Sequence, residues 1–425
     1  MTTAPRPPSE ETVSPPVMSE RRVSIVGGLL VAIGPISLSL FTPAMPEIVH
    51  AFGSTEAVVK LTLSLYFAGF AFAQLVCGPL SDGLGRRPVT IAFMAIYLVG
   101  SFLAVVAPSI DILIFARFLQ GVGAAAGLAV SRAIVRDLFT SESSARILNL
   151  VGIILSVGPA ISPTLGGFTL EFFGWHAIFL LMAAASVAVM LLTIFAVRET
   201  VSRDLSRIRP RALMRTYGEL LTNPSFLLPS LVVAGTSGAI YALATILPFV
   251  LMTRVGMSPT AFGIGMLMQT GSYFVGSLIF RALMPRFGAF RLVGVGAVFV
   301  IIGAVALILL LILQEPSYWN VMGPVGCYAV GIAFCQPAMM TAAMAPFPRA
   351  AGAASAAMGF MQMGAGMVGG MAASIFADPV TATIVVIPIM GVTAVGSWLA
   401  WQRIPEKGLS ASDAVQRQRS SDSDA

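Results

Sequence analysis

The sequence predicts an all-α polytopic membrane protein with about twelve transmembrane helices in two pseudo-symmetric six-helix bundles. Three observations carry that expectation. Of 425 residues, 57% are hydrophobic and only 10% charged, where a soluble domain carries about 25% charged residues; a surface this apolar needs lipid as its solvent. Apolar runs long enough to cross a bilayer recur along the chain. Arginines gather in alternate connections between those runs.

Taken in order, residues 1–22 are rich in Pro, Ser and Glu and read as a disordered tail. The first apolar run, 23–41, follows Arg21 and Arg22, and no small-residue cleavage site comes after it, so it reads as a retained helix rather than a signal peptide. Further runs fall at 57–79, 89–107, 111–131, 146–169 and 175–197, completing a first bundle over 23–197. A basic loop, 198–225, precedes a second bundle over 226–401, with runs at 226–251, 260–283, 292–313, 320–344, 351–375 and 380–401. Residues 402–425 read as a second disordered tail.

Charge orients these runs. Arg86, Arg87, Arg132, Arg136, Arg146, the six arginines from Arg198 to Arg215, Arg281, Arg286, Arg291 and Arg349 share one side with both tails; Lys60 and Arg254 lie on the other. The positive-inside rule places the arginine-rich side, and so both termini, in the cytoplasm of a multi-pass cell-membrane protein. The halves also echo each other. Gly85 and Gly288, Arg146 and Arg349, and Gly166 and Gly369 share one spacing, 203 positions. Parallel repeats of this kind build transporters with a substrate site between the halves.

Several function classes fall away. The net charge of +6 resides in short loops, with no basic patch interleaved with stacking aromatics, so nucleic acid is not an expected partner. Cys77, Cys327 and Cys335 lie in apolar runs without metal-site spacing, and His50 and His176 are far apart, so no metal or other cofactor is expected. No His, Asp, Glu or Ser cluster stands in catalytic register within the spans, so an enzyme is not expected.

Three motifs interrupt the apolar pattern. "GPLSDGLGRRPV" (Gly78–Val89) joins the second and third runs. It matches neither phosphate-loop pattern. Its Asp82 follows one helix C-terminus, and Arg86 and Arg87 precede a helix N-terminus, the wrong sign at each dipole end; partners elsewhere in the fold are expected. For Asp82 the expected partner is the N-terminus of the helix beginning near Ala351, with Gly78 letting the two helices approach closely. "RFLQGVGAAAG" sets Arg117 and Gln120 inside a span, and an arginine there is costly and marks function. "GPAISPTLGG" puts Gly158, Pro163, Gly166 and Gly167 on one helix, the pattern of a kinked, close-packed span.

Together these motifs resemble the major facilitator superfamily, and within it the twelve-span drug:proton antiporters, nearest the bicyclomycin/chloramphenicol resistance branch. Gly78, Leu80, Asp82, Gly85, Arg86 and Arg87 fill the family's cytoplasmic loop signature, which implies a latch between the halves; Gly83 stands where many members have a basic residue. Arg117, Gln120 and Gly121 match the fourth-helix motif and imply a role in proton coupling at the cavity. Gly158, Pro163, Gly166 and Gly167 match the fifth-helix antiporter signature, with Ser162 in place of a glycine, and imply export. "FTPAMPEI" at the first helix end fits the same branch, but Ser39 stands where that branch often has an aspartate. No Asp or Glu falls in the middle of a span; Glu47, Glu56, Asp111, Glu171 and Asp378 lie at span ends. The proton carrier is therefore open, and a strict preference for cations is not expected.

Tyr66, Gln74, Tyr241, Gln269, Tyr273, Gln336 and Gln362 are polar groups within spans. Each either faces substrate or satisfies a neighbouring helix. The methionines between Met339 and Met371 either line an adaptable pocket or fill gaps. The function expected is alternating-access export of small, fairly apolar molecules by a monomer exchanging them for protons. A nutrient, metabolite or siderophore-type carrier, or a transport-dead sensor, is the alternative.

Overall fold

The computed structural model describes residues 18–139 and 141–404. Helix α1 (Glu20–Phe41) passes through a tight turn at Thr42–Ala44 into α2 (Met45–Ala51). Then come α3 (Glu56–Leu84), α4 (Arg86–Val105), α5 (Ile110–Leu138), α6 (Ser141–Phe173) and α7 (Trp175–Ala196). A polar connection contains α8 (Pro210–Thr222). The rest is α9 (Pro224–Pro248), extended by a wider turn over Phe249–Arg254, then α10 (Pro259–Gly265), α11 (Leu267–Phe287), α12 (Ala289–Leu313), α13 (Tyr318–Met344), α14 (Ala351–Ile375) and α15 (Pro379–Gln402). Among the described residues there is no strand.

Among the described residues, nine of these segments are long and apolar enough to cross a bilayer: α1–α2, α3, α4, α5, α7, α9 with its extension, α12, α13 and α15. The three remaining expected runs fall on α6, on α10–α11 and on α14. Helix α14 is built largely from Gly, Ala and Met, a composition that favours packing against protein over exposure to lipid tails.

The helices divide into two packed groups. Helices α1 and α3–α7 enclose a core around Phe41, Phe67, Tyr97 and Phe179. Helices α9 and α12–α15 enclose another around Leu243, Leu247, Leu307, Tyr328 and Ile387. Lipid tails are as apolar as leucine, so burial drives helices together weakly, and close backbone approach must supply the dispersion contacts. Gly121 of α5 provides one such approach: a Cβ there would collide with the Tyr66 carbonyl of α3. The two halves use one scheme. Gly166 brings α6 against the Leu40 carbonyl of α1, and Gly369, 203 positions on, brings α14 against Ala242 of α9. Gly85 and Gly288 each open a helix from a positive φ, +107° and +78°, which only glycine adopts freely.

Three expectations need correction. Helix α3 continues to Leu84, so Asp82 stands inside its last turn rather than after it. The first tail is shorter, because residues 20–22 already belong to α1; its residues 1–17, and residues 405–425 of the second tail, lie outside the described residues. The basic loop is not featureless. Pro210 starts α8 at a position that needs no N–H, Arg215 and Glu219 pair at 2.8 Å one turn apart, and Leu220 is buried on the opposite stripe.

Gly121→Ala is expected to destabilise the folded protein by roughly 1–3 kcal/mol through overpacking. Gly364→Ala, where a Cβ meets nothing within 4 Å, should stay within about 0.5 kcal/mol. Thermal unfolding of both variants in detergent checks the contrast.

Candidate transport site

The motif charges pair within the first half. Asp82 meets Arg86 one turn on, and Arg86 Nε also donates to Asp137 Oδ2 of α5 at 2.9 Å. Its Nη1 donates to Ser81 Oγ at 2.7 Å. Glu199, just after α7, accepts the backbone N–H groups of Arg86 and Arg87 at 2.8 and 3.1 Å. A carboxylate thus caps the α4 N-terminus and offsets the two arginines that the dipole disfavours there. Arg87 Nη2 donates to the Ile194 carbonyl at 2.8 Å.

This arrangement differs from the expected inter-half latch. The ion partner of Asp82 is Arg86, not the start of α14, and a Cβ at Gly78 would meet nothing within 4 Å, so Gly78 mediates no close approach. Asp137 and Glu199 went unread because Asp137 lies in the last turn of α5, beyond the expected run 111–131, and Glu199 follows α7. Counting spans places both at the arginine-rich end beside the motif, and that parity was the available signal.

Arg117 is also placed differently from the expected cavity-facing position. Its side chain has no solvent exposure and lies inside the first half. Its guanidinium carbon sits 4.3 Å from the Phe41 ring centre and 4.5 Å from that of Tyr66. Nη1 donates to Gln120 Oε1 at 2.6 Å, and Gln120 Nε2 passes the chain to Ser101 Oγ at 2.8 Å. Nε and Nη2 have no acceptor. Two ring faces and one short hydrogen bond offset part of the desolvation of a buried cation, and no carboxylate completes the balance. Of the two alternatives for Tyr66, the structure shows the neighbouring helix: it is buried, and its hydroxyl donates to the Gly34 carbonyl of α1 at 2.9 Å.

The glycine-proline helix α6 bears on both halves. Gly158 faces Ile36 and Gly166 faces Leu40, both on α1. On its other side, a Cβ at Gly167 would strike the Pro259 carbonyl, and one at Gly263 would strike the Pro163 carbonyl. Thr164 Oγ1 donates to the Gly263 carbonyl at 3.1 Å, and the Thr260 N–H donates to Glu171 Oε2 at 3.2 Å. These contacts join α6 to α10 at the arginine-poor end. There the turn after α1 also packs on α9 and α10, and α2 packs on the segment after α9. Along the opposite flank α3 packs on α14, and Phe67 meets Tyr241 of α9 at 5.1 Å between ring centres.

The other polar side chains form a network on the second half. Gln336 and Gln362 each donate an amide N–H to Ser237 Oγ, at 2.9 and 3.1 Å. The Tyr273 hydroxyl donates to Gln336 Oε1 at 3.0 Å. Gln269 lies one turn before Tyr273 on α11, buried, with Nε2 unpartnered. From the first half Gln74 packs against Gly359, with Oε1 buried and unpartnered. Ser237 accepts twice and keeps its own O–H free to donate. The hydrogen-bonded network spans α9, α11, α13 and α14, and its members carry no charge. Ser237, where two of the amides converge, gave no sequence signal, because a serine in a span usually bonds its own helix. Cys335 and Met339 of α13 and Met358 of α14 lie in the adjoining hydrophobic cluster.

Outside the spans, Asp378 caps α15. Burial alone would raise its pKa, but hydrogen bonds from the Thr381 N–H and hydroxyl, at 2.8 and 2.9 Å, and the nearby Arg254 hold it below the ordinary carboxylate value.

Comparison with known proteins is consistent over most of the chain. The family model of the Major Facilitator Superfamily matches residues 27–371. The Bacillus subtilis (strain 168) protein described as "Uncharacterized MFS-type transporter YdgK" is 29% identical over 388 residues, covering 88% of this chain and 93% of its own. "Multidrug resistance protein MdtL" of Shewanella sp. (strain ANA-3) is 28% identical over 336 residues, covering 79% and 84%. Among solved structures, a bacterial homolog to the human lysosomal transporter Spinster, in an inward-facing and occupied conformation, superposes with a TM-score of 0.72 at 17% identity, covering 92% of this chain and 98% of its own. At that identity the likeness concerns the fold.

The two carboxylates on Arg86 are expected to contribute unequally. Asp137 is 16% exposed and Asp82 42%. Asp137→Asn should cost about 2 kcal/mol, since it strips a buried arginine of its better-shielded partner. Asp82→Asn should cost less than about 1 kcal/mol. Denaturation of the two variants in matched detergent reads the order, and equal losses would contradict it.

Proposed function

The chain belongs to the major facilitator superfamily, and on that premise we propose that it is a secondary active exporter of small, fairly apolar, uncharged molecules, working by alternating access in exchange for protons. As a member of that family it is a multi-pass membrane transporter and not an enzyme. The further reading has twelve spans, bundles at 23–197 and 226–401 around the connection 198–225, both termini in the cytoplasm, and a monomer as the working unit.

One observation carries the mechanism. Each half supplies most of its own core, the first taking in only Ala244 and Phe249 from the second, while the contacts of α6 with α10 rest on glycines, backbone carbonyls and one N–H bond to Glu171, with no interlocking ion pair among the described residues. Two bodies joined by such a seam can part while each keeps most of its core, which is what alternating access needs. Relatives named for multidrug resistance support the direction of transport, as does the antiporter pattern of α6. The uncharged network around Ser237 supports the substrate class, because a site without a carboxylate gives a cation no charge to balance its desolvation. On this reading Arg117 acts from inside the first half, by holding α1, α3 and α5 in register beside the cavity; Gln120 orients it.

The test is efflux from a strain lacking its own pumps, followed by transport in vesicles loaded from either side. Export of uncharged amphiphiles against a gradient, stopped by collapsing the proton gradient, is the expected result. Import, or uphill flux that survives an uncoupler and follows sodium, would overturn direction or coupling. Arg117→Ala is expected to abolish uphill export while leaving membrane insertion intact; full export in a well-expressed Arg117→Ala protein would remove Arg117 from the mechanism. Gln362→Ala should raise the KM for uncharged substrates about tenfold, the loss of one good hydrogen bond to a buried partner.

A further inference from the structure

Among the described residues Lys60 is, with Arg117, a fully buried cation, and nothing in the transport reading uses it. It lies on α3 in the arginine-poor seam, with no solvent exposure. Its Nζ stands 3.4 Å from the Ala373 carbonyl, in the last turns of α14, and 5.4 Å from the Phe249 ring centre. Both partners belong to the second half, so Lys60 reaches across the seam. An ammonium has three N–H donors. Here one finds an acceptor, at the long end of hydrogen-bond distance, and among the described residues no carboxylate forms an ion pair with it.

The charges that face Lys60 are Glu56 from its own helix, and Arg254 and Asp378 from the second half. None completes it. Arg254 and Asp378 pair with each other at 3.4 Å, and Asp378 also accepts from Thr381. Glu56, one turn before Lys60 on the same face, has its Oε2 buried with no donor. The closed seam therefore holds an under-coordinated ammonium and an under-coordinated carboxylate. The C-terminal dipole of α14 and the Phe249 ring soften the cost without removing it. Both groups would be fully solvated if the seam parted, whereas an apolar side chain of similar length would be better off with the seam shut.

We propose that Lys60 is a release charge: a positioning residue whose unmet hydration keeps the arginine-poor seam ready to reopen, rather than a clasp that holds it closed. This rests on the alternating-access reading, but its readout needs no substrate. Spin labels placed at Ser54, between α2 and α3, and at Glu315, between α12 and α13, report the seam directly. The protein is reconstituted in lipid vesicles with its three cysteines replaced by serine. The wild type is expected to show a short-distance and a long-distance population. Lys60→Met should deplete the long-distance population about tenfold and slow uphill transport by a similar factor, as a differential interaction of that size shifts a two-state equilibrium. Lys60→Gln, which also removes the charge, should follow Lys60→Met; Lys60→Arg, which keeps it, should follow the wild type. A larger long-distance population in Lys60→Met would make Lys60 a clasp and overturn the proposal. So would an unchanged distribution in both neutral variants, or a wild type with a single short distance. Failure to transport any tested molecule would count against the substrate reading and leave these distances untouched.

Discussion

Backbone-to-backbone approach between helices is the constraint on which the rest of this structure depends. In lipid, leucine gains little by leaving its surroundings, so helices must be held by dispersion at short range and by whatever polar contacts they can find. Gly121 against the Tyr66 carbonyl and Gly166 against the Leu40 carbonyl let the helices come close enough for that, and Gly369 makes room for the side chains of Ala242 and Met390. The same device that holds each half together also closes the seam between them, at Gly167 and Gly263. What surrounds the glycines differs from place to place: large rings such as Phe41 and Phe179 within the first core, and hydroxyls and carbonyls at the α6–α10 contact.

Charge follows a second rule, set by desolvation. At the arginine-rich end charges meet in clusters, as in the chain from Asp82 through Arg86 to Asp137, with Glu199 capping α4. Deeper in, satisfaction is incomplete. Arg117 keeps two nitrogens without acceptors, and Lys60 keeps one long hydrogen bond. Buried charge left partly unpaired is poor stabilisation; Arg117 bears that cost inside the first half, and Lys60 bears it in the seam. The polar network around Ser237 is the complement, well connected and uncharged.

The repeated halves were legible because a repeat writes the same physical demand twice. Gly85 and Gly288 both need a positive φ, and Gly166 and Gly369 both need a missing Cβ. The apolar runs matched the helices to within a few residues, apart from ends such as that of α3, where the helix continues through the polar motif to Leu84. Hydropathy sees where lipid begins; the backbone hydrogen-bond ladder runs on past it.

What the sequence determined by itself was everything that depends on neighbours along the chain or on the alternation of spans: the helical class, the positions of most helices, the arginine-rich end, the twofold repeat and the motifs that point to the family. What only the tertiary structure decided was which groups meet. It sent Asp82 to Arg86 rather than to α14, buried Arg117 between two rings inside one half, gathered Gln336 and Gln362 on Ser237, and left Lys60 under-satisfied in the seam. The physical reason is the range of the forces. Hydropathy and helix propensity act over a few residues and can be summed along a sequence, whereas a buried charge or amide is settled by atoms within about 3.5 Å, contributed by helices whose spacing in the chain carries no record of that distance.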